Sequence, residues 1–230
     1  SYTYFHSVDV CIFSAIMGKQ LDLNRKQLED LSLSALLHDF GKMKVPQEIL
    51  NKPTKLTDDE FEEMKKHTIF GYQIVKNMEN ITEQIAEVAL LHHERLDGSG
   101  YPLKLKSDRI PLFARIVAIA DVYDATTADR VYKKKTVPHK AANFLLKYAG
   151  TQFDKDIVLK FLNMVIKYPV GCFVVLNTGE IAIVYEENPF NKAKPVVKVV
   201  SKKDGPPVLT PYFVDLSQDS KREIVDVINY

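Results

Sequence analysis

The sequence predicts a mainly α protein, a helical bundle followed by a short C-terminal β subdomain. Apolar residues recur at helical spacing through most of residues 1–168. After Pro169 the pattern changes to short apolar runs around turn residues, which is typical of antiparallel strands. We therefore predict two domains, a helical domain at residues 1–168 and a small β-rich subdomain, packed on it, at residues 169–230.

Composition limits the class of protein. The 230 residues are 46% hydrophobic and 27% charged, with a formal net charge of +1, as in ordinary globular domains. So small a net charge gives no reason to expect DNA as a partner. No apolar run has the roughly 20 residues that cross a bilayer, so we expect no membrane contact from this segment. The distant cysteines Cys11 and Cys172 indicate free thiols in a reducing compartment, and hence a cytoplasmic protein.

Apolar spacing and end signals predict the helices in order. Gly41 is a stop signal after the second helix. Thr57 and Glu60 form a capping box, and Pro111 suits the first position of a helix. The predicted helices cover residues 4–19, residues 25–38, Thr57 toward Met64, Thr82 to His92-His93, Pro111 through Asp121 to Asp124, about 138–148 and about 154–167.

The tail has the pattern of a small antiparallel sheet. Residues 172–176 and 181–185 flank Asn177-Thr178-Gly179-Glu180, which predicts a β-hairpin. The tail contains no histidine, so we expect a structural appendage rather than a second active site. Further strands are predicted at residues 196–200, around 212–215 and at 223–228.

Candidate metal ligands lie on successive predicted helices. Imidazole is the commonest metal ligand, and helical bundles build metal sites from one or two inward ligands per helix. A mixture of imidazoles and carboxylates suits Fe, Mn, Co, Ni or Zn. The set is too large for one ion, so we expect at least two ions with Asp39 between them. The candidates are His6, His38, Asp39, His67, His92, His93 and Asp121.

Two motifs carry a resemblance to a known family. Gly98 and Gly100 let the chain turn tightly after His92-His93 and form the rim of a pocket. The motif His38-Asp39-Phe40-Gly41-Lys42, with His92-His93-Glu94-Arg95-x-Asp97-Gly98-x-Gly100-Tyr101-Pro102, resembles the HD-GYP family of cyclic di-GMP phosphodiesterases. This family lies in the HD phosphohydrolase superfamily, and the resemblance covers at least residues 6 to 167.

The resemblance implies a role for each of these residues. The seven candidates above correspond to metal ligands. Members with three ions carry a glutamate where this chain has Tyr2, so we expect two ions, Fe or Mn, with Ni, Co or Zn also compatible. The phosphate-contacting residues correspond to Lys42, Arg130 and Lys133. The rim near a guanine base corresponds to Gly100, Tyr101 and Pro102.

The expected reaction is hydrolysis of cyclic di-GMP to linear pGpG, and a second cleavage to GMP is left open. A hydroxide held between two ions attacks phosphorus in line, with Asp39 as the bridge. Lys42 or a metal-bound water protonates the leaving 3′-oxygen. Asp124 orients Lys42 or a water, or else forms a helix-end salt bridge.

Alternatives remain open at this stage. The substrate is cyclic di-GMP, another cyclic dinucleotide such as cyclic GMP-AMP, or pGpG itself. A catalytically silent cyclic di-GMP receptor is a second class, and an HD-type nucleotidase or guanosine-tetraphosphate hydrolase is a third. Because the chain begins at Ser1 within a helical pattern, we expect a fragment of a bacterial protein. Its expected partners are an upstream regulatory or sensor domain and diguanylate cyclase domains.

Overall fold

A computed structural model describes residues 2–127, 138–165, 168–202 and 205–228. Over these ranges the first part of the chain is helical and the last part is a sheet, which confirms the predicted fold class. The helices are α1 (Tyr2–Gln20), α2 (Arg25–Leu37), α3 (Gln47–Leu50), α4 (Asp58–Lys65), α5 (His67–Lys76), α6 (Glu83–Leu91), α7 (Leu112–Thr127), α8 (Pro138–Tyr148) and α9 (Lys155–Val165), with 3₁₀ turns at Phe40–Lys44 and Ser107–Arg109.

The chain divides into two compact units. Residues 1–135 and 148–157 form the first unit, and residues 136–147 and 158–230 form the second. Most of α8 and α9 therefore belongs to the same unit as the sheet. The boundary at residue 168 and the packing of the tail on the helical domain stay predictions.

Helix α7 is the buried centre of the first unit. It packs against α1, α2 and α6, and its side chains Phe113, Ile116 and Ile119 are almost fully buried. Asp121 and Asp124 lie on the same helix and are buried with them. A buried carboxylate is costly unless it is paired or binds a cation, so this packing alone requires partners for both acids.

Local signals explain where the helices begin. Thr57 and Glu60 form the predicted capping box, with the Glu60 amide 3.3 Å from Thr57 Oγ1 and the Thr57 amide 2.7 Å from Glu60 Oε2. A second capping box, of Asn24 and Gln27, starts α2 and was not predicted. Such caps satisfy backbone amides that have no partner within the helix.

The second unit contains a five-stranded antiparallel sheet in the order β4-β3-β2-β1-β5. The predicted hairpin is confirmed, with Val175 opposite Ile181 and Gly179 at a φ of +80° in the turn. Val174, Ala182 and the alternate residues of the next strand are buried on one face. The strands are β1 (Phe173–Leu176), β2 (Glu180–Glu186), β3 (Val196–Lys202), β4 (Pro207–Asp215) and β5 (Ile224–Ile228).

Candidate metal centre

The first unit brings the seven predicted metal ligands together. Three helix ends and two helix interiors deliver them, although they are spread over more than half of the unit's sequence. Each is buried or nearly so. The positions are His6 within α1, His38 and Asp39 after α2, His67 at the start of α5, His92 and His93 after α6, and Asp121 within α7.

Asp39 lies at the middle of the cluster. Its Oδ1 is 3.5 Å from His67 Nε2 and 3.7 Å from His92 Nε2. Its Oδ2 is 3.4 Å from His38 Nε2 and 3.7 Å from His6 Nε2. The two carboxylate oxygens therefore face different pairs of imidazoles.

Backbone carbonyls fix the orientation of three histidine rings. His38 Nδ1 is 2.6 Å from the Ala35 carbonyl oxygen, and His67 Nδ1 is 2.7 Å from that of Met64. His92 Nδ1 is 3.1 Å from the carbonyl oxygens of two residues in the preceding turn. Because a carbonyl oxygen only accepts, each Nδ1 donates, and each Nε2 is left with a lone pair directed at the cluster.

The inward atoms have the chemistry of a metal site. Among the described residues, His38 Nε2, His67 Nε2, His92 Nε2 and Asp39 Oδ1 are buried without a hydrogen-bond partner. Buried polar atoms are rarely left unpaired, and four in one cluster indicate that something else satisfies them. Neutral imidazole nitrogens around a carboxylate fit a divalent transition metal.

Six of the seven candidate ligands, all but Asp121, form two groups that share Asp39. In one group Asp39 joins His67, His92 and His93, and in the other it joins His6 and His38. The ligand atoms within each group lie within 4.8 Å of one another. A carboxylate that belongs to both groups is the arrangement that a two-ion centre requires.

His6 is held by acids on α7. Its Nδ1 donates to Asp124 Oδ2 at 2.6 Å, and its Nε2 lies 3.1 Å from Asp121 Oδ1. Burial alone would lower the pKa of His6, but the hydrogen bonds to Asp121 and Asp124 raise this pKa to about 9. Asp124 thus orients a candidate ligand; whether it also acts on Lys42 or on a water stays a prediction.

The other titratable groups have the protonation states that a metal needs. Burial lowers the pKa of His92 strongly, that of His93 to about 3 and that of His67 by less, so these rings are neutral at pH 7. Burial would raise the pKa of Asp39, but Lys42 and His38 hold it well below its ordinary value. Burial would raise the pKa of Asp121, but the hydrogen bond to His6 and the electrostatic interactions with His93 and His38 together lower it, so both acids are anions.

A close contact between two glycines holds Asp39 beside α5. A Cβ atom on Gly41 would lie 1.9 Å from the His67 carbonyl oxygen and 2.4 Å from the Gly71 amide nitrogen. No side chain fits there, so the turn that follows Asp39 packs directly on the backbone that carries His67. Sequence analysis treated Gly41 as a helix stop and did not predict this contact.

The loop after His93 is fastened by Glu94. This buried carboxylate accepts the amides of Leu103 at 2.7 Å and Leu105 at 2.9 Å. A Cβ atom on Gly100 would lie 2.5 Å from the His93 carbonyl oxygen, so the loop also turns back onto the helix end. Sequence analysis did not single out Glu94 as a residue that holds this loop.

Tyr101 lies against His93 of the metal cluster. Its ring stacks on that of His93, with centroids 4.7 Å apart and an interplanar angle of 29°. Phe61 and Lys65 of α4 lie beside it, Phe61 at 6.1 Å edge to face and Lys65 Nζ at 5.7 Å from the Tyr101 centroid. Neither Phe61 nor Lys65 was expected at the site, because no motif links α4 to this loop.

The predicted phosphate-contacting residues are only partly described. Lys42 Nζ lies 2.5 Å from Asp39 Oδ2, and the lysine side chain is partly exposed. Arg130 and Lys133, like the Tyr2 side chain, lie outside the described residues.

Cys11 and Cys172 are free thiols, as predicted. Among the described helices, none is long and apolar enough to cross a membrane.

The sequence matches the HD domain family over residues 7–157, so the chain belongs to this family. The matched segment contains every proposed ligand except His6, which directly precedes it. Residues 173–230 match a KOW domain that is associated with the HD domain.

Curated relatives are named as cyclic dinucleotide phosphodiesterases. The chain is 41% identical over 198 residues to a cyclic di-GMP phosphodiesterase of Pseudomonas aeruginosa, covering 86% of this chain and 48% of that protein. It is 42% identical to a cyclic di-GMP phosphodiesterase response regulator of Xanthomonas campestris, covering 63% and 39%. It is 36% identical to a 3′3′-cGAMP-specific phosphodiesterase of Vibrio cholerae, covering 66% and 30%. The chain thus spans about half or less of each relative.

Solved structures share the fold. An HDG"Y"P protein of Bdellovibrio bacteriovorus superimposes with a TM-score of 0.59 at 21% identity, covering 71% of this chain and 52% of that one. At this identity the similarity establishes the fold alone.

Proposed function

We propose that the chain is the catalytic part of a metal-dependent phosphodiesterase that hydrolyses cyclic di-GMP to linear pGpG, and further to GMP. The observation that carries this proposal is the cluster of unpaired, inward-facing imidazole nitrogens around Asp39. The names of the relatives from P. aeruginosa and X. campestris support the substrate.

The seven ligands would hold two divalent ions, Fe or Mn, with Asp39 shared between them. When bound, such a pair supplies an activated water for in-line attack at phosphorus and positive charge for the phosphate oxygens. Asp39 presents one oxygen to each ligand group, so it is the natural bridge. The buried carbonyl contacts keep the imidazoles in place, so little reorganisation is needed when a substrate enters.

Cations of the chain would bind the phosphate. The Lys42 ammonium group beside Asp39 is placed to neutralise a phosphate oxygen and to donate a proton to the leaving ribose 3′-oxygen. We propose the same phosphate-binding role for Arg130 and Lys133. Tyr101 and Pro102 would limit access of water at the rim and contact a guanine base.

The experiment is anaerobic purification, metal analysis, and an assay of cyclic di-GMP hydrolysis with Mn(II) or Fe(II). We expect about two ions per chain, pGpG as the first product, and loss of activity with a chelator. Binding of cyclic di-GMP by the fully loaded protein without turnover would contradict the proposal and favour a silent receptor.

A second candidate substrate is cyclic GMP-AMP. The similarity to the cGAMP-specific phosphodiesterase of V. cholerae favours it, because that relative is 36% identical to this chain over 154 residues. Competing hydrolysis of cyclic di-GMP, cyclic GMP-AMP and pGpG in one reaction compares their kcat/KM values directly. A preference for cyclic GMP-AMP would keep the chemistry and change the substrate.

A further inference from the structure

An apolar cavity of about 450 Å³ opens beside the metal cluster. Its walls include Tyr4, Leu36, Phe40 and Met43, and Asp39 and Lys42 also line it. We call it the Phe40 pocket. Because Asp39 and Lys42 belong to the candidate metal centre as well, the pocket is continuous with the place where the phosphate is proposed to bind.

The walls of the Phe40 pocket are unusually apolar for an accessible surface. Leu36, Phe40 and Met43 are 41%, 40% and 61% exposed. Adjacent exposed apolar side chains of this size indicate a binding surface, and ligand cavities are mostly apolar with few polar groups. The Ser7 hydroxyl group also lines the pocket and can hydrogen-bond to the edge of a ligand.

We propose that the Phe40 pocket binds one base of the cyclic dinucleotide, an inference that rests on the proposed function. An occupant that fits this lining has an anionic group for Lys42 and a ring or other body that packs on the apolar and aromatic walls, and a nucleotide has both. Aromatic side chains are the usual stacking partners of unpaired bases, and Phe40 and Tyr4 supply them here.

A cyclic dinucleotide has two bases, and the structure offers a second apolar surface for the other. The Tyr101 ring contacts His93 and Phe61, none of which lines the Phe40 pocket. In this arrangement one base contacts Tyr101 and the other base binds in the Phe40 pocket.

The test compares Phe40→Ala and Met43→Ala with a matched control, Ile69→Ala, a residue of α5 that is also 40% exposed. The substrates are cyclic di-GMP and its analogue with both bases replaced by hydrogen. We expect Phe40→Ala to lower kcat/KM for cyclic di-GMP about tenfold or more, mainly through KM, and to leave the value for the analogue unchanged. Equal losses on both substrates would overturn the proposal. Met43→Ala repeats the test at a more exposed position, and Ile69→Ala should affect neither substrate.

A binding measurement separates this proposal from the proposed function. Metal-free protein is titrated with a cyclic dinucleotide that carries the fluorescent base 2-aminopurine, whose emission falls on stacking. We expect quenching with wild type and Ile69→Ala, and about tenfold weaker binding with Phe40→Ala. If wild type binds in this titration but the protein loaded with Mn(II) or Fe(II) does not cleave cyclic di-GMP, the proposed function fails while the pocket is upheld. If Phe40→Ala binds as wild type does, the pocket proposal fails while the proposed function is unaffected.

Discussion

Asp39 in the first unit and Glu180 in the second are both buried carboxylates, but their surroundings differ. Both oxygens of Glu180 accept hydrogen bonds from the chain, whereas Asp39 Oδ1 is unpaired among the described residues and faces imidazole nitrogens that are also unpaired. A buried acid whose neighbours satisfy it stabilises a fold. A buried acid that is surrounded by unpaired polar atoms directed at it indicates a site for a ligand or a metal ion.

The Glu180 cluster is closed by residues from three other places in the second unit. Arg222 donates from Nε at 2.7 Å and from Nη2 at 3.2 Å, and Tyr212 donates from its hydroxyl at 2.5 Å. The Thr178 hydroxyl also donates to Glu180, and Asp219 accepts from Arg222 Nη1 at 2.9 Å. These donors, the Arg222 hydrogen bond first, lower the pKa of Glu180 to about 2.

The largest expected effect is on metal binding and turnover, which should depend on Asp39 and not on Glu180. Asp39→Ala should abolish metal binding and turnover together, because it removes the one carboxylate common to both ligand groups. Metal analysis and the phosphodiesterase assay measure this on the same sample. Glu180→Gln is the matched control and should keep both. Full metal content and activity in Asp39→Ala would show that the cluster is not the centre of the site.

A smaller effect is expected for Asp124, which orients a candidate metal ligand without belonging to the ligand set. Asp124→Asn should weaken metal binding or activity about 10–100-fold, because Asp124 orients His6 through its Nδ1. Titration of the metal-free protein with Mn(II) gives the affinity. Asp108→Asn, an exposed position in the 3₁₀ turn Ser107–Arg109, is the control. An unchanged affinity in Asp124→Asn would limit Asp124 to a packing role.

A change in the Glu180 cluster should affect stability rather than metal binding. Arg222→Ala should lower the free energy of unfolding of the second unit by about 2 kcal/mol, because Glu180 loses its strongest donor. This is less than the loss of a fully buried pair, since the Arg222 side chain is 27% exposed. Urea unfolding measures it, and Arg222→Lys should recover part of the loss. A metal content that fell with stability would show that the two clusters are coupled.

The smallest effect is a pH dependence of stability. The pKa of Glu180 falls from an ordinary 4.5 to about 2 on folding, so its contribution is present above pH 4.5 and is lost as the pH falls toward 2. Glu180→Gln should therefore flatten the curve of unfolding free energy against pH in this range. Parallel curves for wild type and Glu180→Gln would show that other acids produce the dependence.

Local pattern was enough to predict the fold class and the kinds of ligand. Helical spacing located α1 and α2 closely, and the turn at Gly179 with its flanking apolar runs located the hairpin. These features depend on neighbours a few residues away, so they are visible in the sequence. The type of each candidate ligand is visible for the same reason, because imidazoles and carboxylates on apolar helices need a partner wherever the helices pack.

Only the tertiary structure decided how these residues meet. That each oxygen of Asp39 faces a different pair of histidines, that Asp124 holds His6, and that Gly41 lies against the backbone of α5 all depend on packing between distant segments. The same holds for the Phe40 pocket, whose walls come from three separate segments. The sequence alone determined which groups are available, whereas distance and orientation, on which coordination and hydrogen bonding depend, arise only when the helices pack.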